Sequence, residues 1–277
     1  MSHDEAAIAN AFRAACRAEL EALKPGNVHV HSPGHGMTVA DFLVSAEAAA
    51  PAIARAGAGV GARVLAAVEA TRAACGQNTN LGIVLLAAPL AAAAEGSEGT
   101  RARLRRVLAR LTVEDADLAF RAIRLAAPAG LGRSDRHDVA DPPAVTLLEA
   151  MRAAANRDRI AFQYANGFRD VLELGVPRLR RCRAEGWTDA QAVSAVYLGF
   201  LACFPDSHVV RKHGSLLAEK VRRRAAALEA LLGRTDGHER CRPQLLAWDG
   251  ELKARGLNPG TSADLTVASH FAAALFA

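Results

Sequence analysis

The sequence predicts an all-α fold, a single compact bundle of about ten to twelve helices spanning residues 1–277. Three observations predict it. Alanine, which loses no side-chain entropy in a helix, fills roughly a quarter of the positions. Val, Ile and Tyr are sparse and never alternate with polar residues as a half-buried strand requires. Apolar segments of helical length follow one another, separated by short breaks at Gly, Pro and capping residues.

The elements follow in order. A first amphipathic helix runs from about Ala6 to Leu23 and ends at the Lys24-Pro25-Gly26 turn. A polar loop rich in His and Gly occupies Asn27 to Met37, and Thr38 with Asp41 resembles a capping box for the next helix. Gly57, Gly59 and Gly61 separate that helix from one at roughly Ala62 to Ala74. After the Gly76–Gly82 break, a helix to about Ala94 is apolar all round, which marks it for the centre of the bundle. Further helices are predicted near 101–110, 113–126, 145–155, 158–174, 188–204, 206–232, 239–255 and 262–276, with Thr188 and Gln191 as a second capping box. Pro128 to Pro143 is polar and proline-bearing, a loop or lid.

Charge and cysteine usage narrow the function. Lys and Arg number 34 against 29 acidic residues, a net +5, which suits anionic partners such as nucleotides or phosphates. The arginine runs at Arg101, Arg103, Arg105, Arg106 and at Arg222 to Arg224 read as solvated helix faces. Nucleic acid is disfavoured as a partner, because aromatic residues for base stacking make up only 5% and no recognition module occurs. Five scattered cysteines (Cys16, Cys75, Cys182, Cys203, Cys241) form no CxxC pair, so neither a zinc site nor a disulfide framework is expected. The N-terminus is acidic where a signal peptide is basic, and Leu81 to Ala94 falls short of the ~20 residues of a membrane span. A cytoplasmic protein without a membrane partner is expected. The oligomeric state stays open.

Four polar clusters interrupt the helices, and loops and helix ends are where bundles carry chemistry. The first, Lys24 to Met37, includes Gly26, Asn27, His29, His31 and His35, and offers backbone N–H groups and positive charge to an anion. The second, Gly76 to Gly82, holds Asn78, Thr79 and Asn80, more amides and hydroxyls than one helix cap uses. The third is Asp206-Ser207-His208 with Arg211, Lys212, His213 and Gly214, where the two cations suit phosphate oxygens. The fourth, Asn258 to Leu265, joins Pro259-Gly260 to Thr261-Ser262-Ala263-Asp264, a turn feeding an N-capped helix. No Walker loop, dinucleotide fingerprint, GxSxG elbow or HExxH occurs. These residues alone describe a helical anion-binding protein, an enzyme or a binding scaffold.

Taken in order, the clusters resemble the triphosphoribosyl-dephospho-CoA synthase family. The matching segments are the KPG-x-V turn at Lys24 to Val28, His35 with Met37, Asn78-Thr79-Asn80-Leu81-Gly82, Asp206-Ser207 with Arg211 and Gly214, and the NPGGSADL-like Asn258 to Leu265. The resemblance covers nearly the whole chain. It implies an all-α pentosyltransferase of coenzyme and prosthetic-group biosynthesis that joins the triphosphoribosyl part of ATP to the 2'-hydroxyl of 3'-dephospho-CoA and releases adenine. Such a displacement passes through an oxocarbenium-like state and needs a positioned acceptor, a base and screening of the triphosphate. On the resemblance, Asp206, Asp264 and His35 are the catalytic residues, with Asp206 and Asp264 holding Mg²⁺ or acting as base. Lys24, Arg211 and Lys212 face the triphosphate, and Asn78, Thr79 and Asn80 the adenine or ribose. Gly26, Asn27, His29, Ser207, His208, Gly260 and Ser262 complete the nucleotide site.

Two positions depart from the family pattern. Gln163 stands where an RGEA-x-x-GFP-like segment carries a carboxylate, and Gly36 replaces an acidic residue near the His/Met segment. They point to a divergent branch, closer to archaeal and methylotroph relatives. Two alternatives follow: transfer of a ribose-phosphate group to another coenzyme precursor of pterin or furan type, or nucleotide binding without catalysis.

Overall fold

The computed structural model describes residues 3–96, 99–128, 132–232 and 237–276. Among the described residues it contains fourteen α-helices and no strand. The all-α class is as expected; the helix number exceeds the expected ten to twelve, for local reasons. The predicted 206–232 helix divides into α11 (Ser207–His213) and α12 (Ser215–Leu232), because Gly214 between them adopts φ +86°, a left-handed conformation that glycine reaches without strain. The predicted 158–174 helix stops as α8 (Arg159–Ala165), and a π-helical turn, Val171–Gly175, runs into an unexpected α9 (Val176–Ala184). Pro177 sits in the first turn of α9, directly after the π turn.

The chain divides into two compact units interleaved in sequence. Unit 1 comprises Met1–Ala15, Asp41–Arg169 and Ala274–Ala277. It holds α2 (Val39–Ala54) for most of its length, α3 (Val60–Cys75), α4 (Leu81–Ala94), α5 (Thr100–Ala109), α6 (Val113–Ala126), α7 (Leu147–Ala154) and α8. The all-apolar α4 is its centre, as the sequence predicts: Val84, Leu86, Ala88, Leu90 and Ala91 are fully buried, and α3, α5, α6 and α8 pack around it. The predicted loop from Pro128 to Pro143 carries no helix over its described residues; 129–131 lie outside them.

Within α4, Pro89 lacks the N–H that would bond the carbonyl of Leu85 four residues back. The buried Tyr164 hydroxyl of α8 donates to that carbonyl at 2.6 Å. A side chain thus restores the bond that the helix gives up. Tyr164→Phe is expected to destabilise the protein by about 1–3 kcal/mol by stranding a buried carbonyl, a loss readable by urea unfolding.

Unit 2 comprises Cys16–Ala40 and Asp170–Ala273. It contains the end of α1 (Glu5–Glu21), the Lys24–Met37 loop, the π turn, α9, α10 (Asp189–Cys203), α11, α12, α13 (Gly237–Ala254) and most of α14 (Gly260–Leu275). The Thr188–Gln191 capping box starts α10 as predicted. α10 packs against α9, α12 and the π turn, and α12 against α11 and α13. Among the described residues no single helix is long and apolar enough to cross a membrane.

Candidate active site

Three of the four clusters fall within unit 2, where they meet at the starts of α11 and α14. Asp206 joins two of them. One carboxylate oxygen accepts the backbone N–H groups of His208 and Val209 at 2.9 and 3.2 Å, capping α11. The other accepts the N–H and the hydroxyl of Ser262 in the first turn of α14, both at 2.8 Å. Asp206 and Ser262 are fully buried. Burial pushes the Asp206 carboxyl above its usual range, and the four donors oppose that shift. Those four bonds use the accepting capacity of a carboxylate. As the structure stands, Asp206 has no lone-pair position left for a cation or for a proton in flight.

His208 follows in α11. Its ring lies over the start of α14: a Cβ placed on Gly260 would stand 2.7 Å from His208 Nδ1, so only glycine leaves room for it there. Burial, followed by the electrostatic influence of nearby Arg211, Lys212, His35 and His213, holds its pKa down to about 4. This basic surrounding of a ring that lies over the start of α14 suits an anion of several charges. Lys212 and His213 are exposed, while Arg211 is half-buried.

The neutral His208 has a measurable consequence. The folded protein leaves this ring unprotonated down to about pH 4, whereas the unfolded chain protonates near 6.5. A lowered histidine pKa therefore removes stability as pH falls through that window, by up to about 1.4 kcal/mol per pH unit. Urea unfolding of wild type and His208→Gln between pH 7 and 4 should show the shallower fall in the variant.

The Lys24–Met37 loop is held from inside. Lys24 is fully buried, and its ammonium donates to Glu19, to Asn27 Oδ1 at 2.8 Å and to the Val28 carbonyl at 2.8 Å. Burial shifts both members of the Lys24–Glu19 pair towards neutrality, and each partner's charge opposes the shift in the other. Three acceptors satisfy the three ammonium protons, so Lys24 braces the turn instead of presenting its charge outward. Asn27 donates to Asn258 Oδ1 at 2.9 Å, tying the first cluster to the fourth. Gly26 has φ +83°, and a Cβ there would stand 2.8 Å from the Leu257 carbonyl.

Helix α13 supplies residues that the sequence reading does not single out. Asp249 accepts the Gly26 N–H at 2.8 Å and lies 3.3 Å from His29 Nε2 and 2.9 Å from Lys253 Nζ. Lys253 also donates to the Ser32 carbonyl at 3.0 Å. Burial would raise the Asp249 carboxyl, yet its His29, Lys253 and Gly26 donors hold it below the usual range. Burial keeps His29 neutral, with its Nδ1 accepting the His31 N–H at 3.2 Å. The sequence signal for these two residues is an Asp and a Lys four apart on a helix, a pattern that surface ion pairs share. His35 donates from Nε2 to the Gly26 carbonyl at 2.8 Å and has φ +57°, uncommon for a residue with a side chain.

Asp264 is half-buried and close enough to Lys24 and Cys16 for its charge to act on both. Among the described residues no three His, Cys, Asp or Glu side chains gather to hold a metal ion. With Asp206 saturated, the pair Asp206 and Asp264 does not fit a magnesium ion held by the protein. Ser207 is buried at the start of α11.

The second cluster belongs to unit 1. Thr79 meets the Ser45 hydroxyl at 2.5 Å, Asn80 donates to Thr71 Oγ1 at 2.9 Å, and Asn78 Oδ1 accepts the Leu81 N–H at 3.2 Å. All three side chains therefore bond within unit 1: Thr79 to α2, Asn80 to α3 and Asn78 to the first residue of α4. Gln163 is fully buried in α8, its amide donating to the Arg159 carbonyl at 3.3 Å.

Comparison with known proteins agrees with the family resemblance. The family model described as ATP:dephospho-CoA triphosphoribosyl transferase (CitG) matches residues 5–277. A crystal structure of a provisionally named triphosphoribosyl-dephospho-CoA synthase from Archaeoglobus fulgidus is similar, with TM-score 0.64 and 29% identity, over 84% of this chain and 97% of that one. No curated protein matches.

Proposed function

The chain belongs to the ATP:dephospho-CoA triphosphoribosyl transferase family, and we propose from that membership how unit 2 carries the transfer. The substrates are ATP and 3'-dephospho-CoA. A bond forms between the acceptor 2'-oxygen and the ribose C1 of ATP while the bond from C1 to adenine breaks. The observation that supports this reading is the basic surrounding of His208 at the start of α14, built from the first, third and fourth clusters, which lie far apart in sequence.

The residues divide the work. Arg211 and Lys212 receive the triphosphate, and Gly260 keeps the α14 start open beside His208. Asp206 and Ser262 hold α11 against α14, so that His208 stands at the α14 start with Arg211 and Lys212 in the last turn of its own helix. Lys24, Asn27 and Asn258 hold the turn that carries His35. Magnesium enters as part of the substrate, bound to the triphosphate, with Asp264 as the carboxylate that orients it.

Incubation with ATP, Mg²⁺ and dephospho-CoA should release free adenine in step with product; a folded protein that releases none refutes the reading. Release that depends on a pterin or furan precursor, and not on dephospho-CoA, would select the second acceptor class. Nucleotide-induced thermal stabilisation without turnover would select the binding scaffold. Arg211→Ala should raise KM for ATP about tenfold or more by removing a charge-assisted bond to phosphate, measured as initial rates of adenine release.

A further inference from the structure

The Gly26 residue is gripped from both sides. Its N–H donates to Asp249 on α13, and its carbonyl accepts from His35 Nε2. A carbonyl oxygen only accepts, so the proton of a neutral His35 ring sits on Nε2 and the lone pair on Nδ1. Among the described residues nothing else hydrogen-bonds that ring. The left-handed backbone of His35 costs energy and persists only where the surroundings dictate it. Those surroundings trace to α13: Asp249 takes the Gly26 N–H and lies against His29, Lys253 takes the Ser32 carbonyl, and the Lys253 stem fills the space above Gly34. The ring they orient lies near enough to His208 for the two to interact electrostatically.

We propose that Asp249 is a positioning residue of the transfer reaction: acting through Gly26, it fixes His35 with Nδ1 bare, as the atom that takes the proton of the acceptor hydroxyl. The inference rests on the transferase reading above. The acceptor oxygen bonds to C1 and gives its proton to His35 Nδ1. The electron pair of the broken bond from C1 leaves with adenine, which regains that proton, and His35 returns to its neutral form. Charge and atoms balance without an oxidant or reductant.

The test has two readouts. Ring nitrogen NMR of histidine-labelled wild type, with His35→Gln to identify the signals, should show His35 as the Nε2–H tautomer; an Nδ1–H form or an even mixture overturns the proposal. In Asp249→Asn the tautomer should become mixed, and an unchanged tautomer overturns the role of Asp249. Kinetically, Asp249→Asn should lower kcat about a hundredfold, with KM for ATP within about twofold. In a His35→Gln background the same substitution should cost less than about threefold more, because both act through one ring. Fully additive losses, as a merely structural residue gives, overturn the proposal. Should Asp249→Asn not fold, the wild-type tautomer still decides the state of His35. A wild type that shows the Nε2–H tautomer but releases no adenine refutes the transferase reading and the proton role with it, and leaves the positioning by Asp249 standing.

Discussion

Asp206→Ala is expected to lower the unfolding free energy by about 4 kcal/mol and to remove adenine release, measured by urea unfolding and by the adenine assay. An ordinary N-cap lost to alanine costs about 1 kcal/mol. Here the carboxylate serves two helix starts, and alanine strands four donors at once: the N–H groups of His208, Val209 and Ser262 and the Ser262 hydroxyl. A buried donor left without a partner costs about 1–3 kcal/mol. Relaxation and entering water recover much of that, which sets the estimate at the lower end of the summed range. Asp206→Asn should fare little better, since its amide nitrogen must face one of the two donor pairs. Loss of activity with unchanged stability would return Asp206 to a direct role in the chemistry.

Lys24→Met is expected to cost about 3–5 kcal/mol, because it leaves Glu19 as a buried charge without its cation. Asn27 Oδ1 and the Val28 carbonyl lose their donor as well. The sign of a second substitution makes the test sharp. Adding Glu19→Gln to Lys24→Met removes the stranded charge, so the double variant should be more stable than the single one in urea unfolding. A phosphate-facing lysine would give the opposite pattern: weakened ATP binding, unchanged stability, and no benefit from altering Glu19.

These two cases show how much of the site is legible in sequence. Residue type and order bring Lys24, Gly26, Asn27, His29, His35, Asp206, Ser207, His208, Arg211, Lys212, Gly260, Ser262 and Asp264 to attention, and all of them lie in unit 2. Whether a side chain faces outward is not legible. Lys24 and Asp206 look like a phosphate ligand and a base by type, yet their bonding capacity is filled from within. Asn78, Thr79 and Asn80 exceed what one helix cap needs, and the surplus bonds to Thr71 and Ser45 on neighbouring helices. Asp249 escapes notice because its partners are a backbone N–H more than two hundred residues away and a histidine in another cluster. The all-α class is legible because it rests on composition and period summed over many residues. The break at Gly214 rests on one residue's backbone angle, which a run of helix formers on both sides conceals.

The bond from Tyr164 to the Leu85 carbonyl also orders the routes by which this sequence can change. With Pro89 in place, exchanging Tyr164 for a residue without a hydroxyl strands the carbonyl, and a lineage taking that step first must cross a less stable intermediate. Exchanging Pro89 for alanine first restores the helix's own N–H, and a carbonyl with two lone pairs can accept both donors. Tyr164 is then free to vary. The two positions form a ratchet: proline can be lost before tyrosine, but tyrosine is retained for as long as proline is.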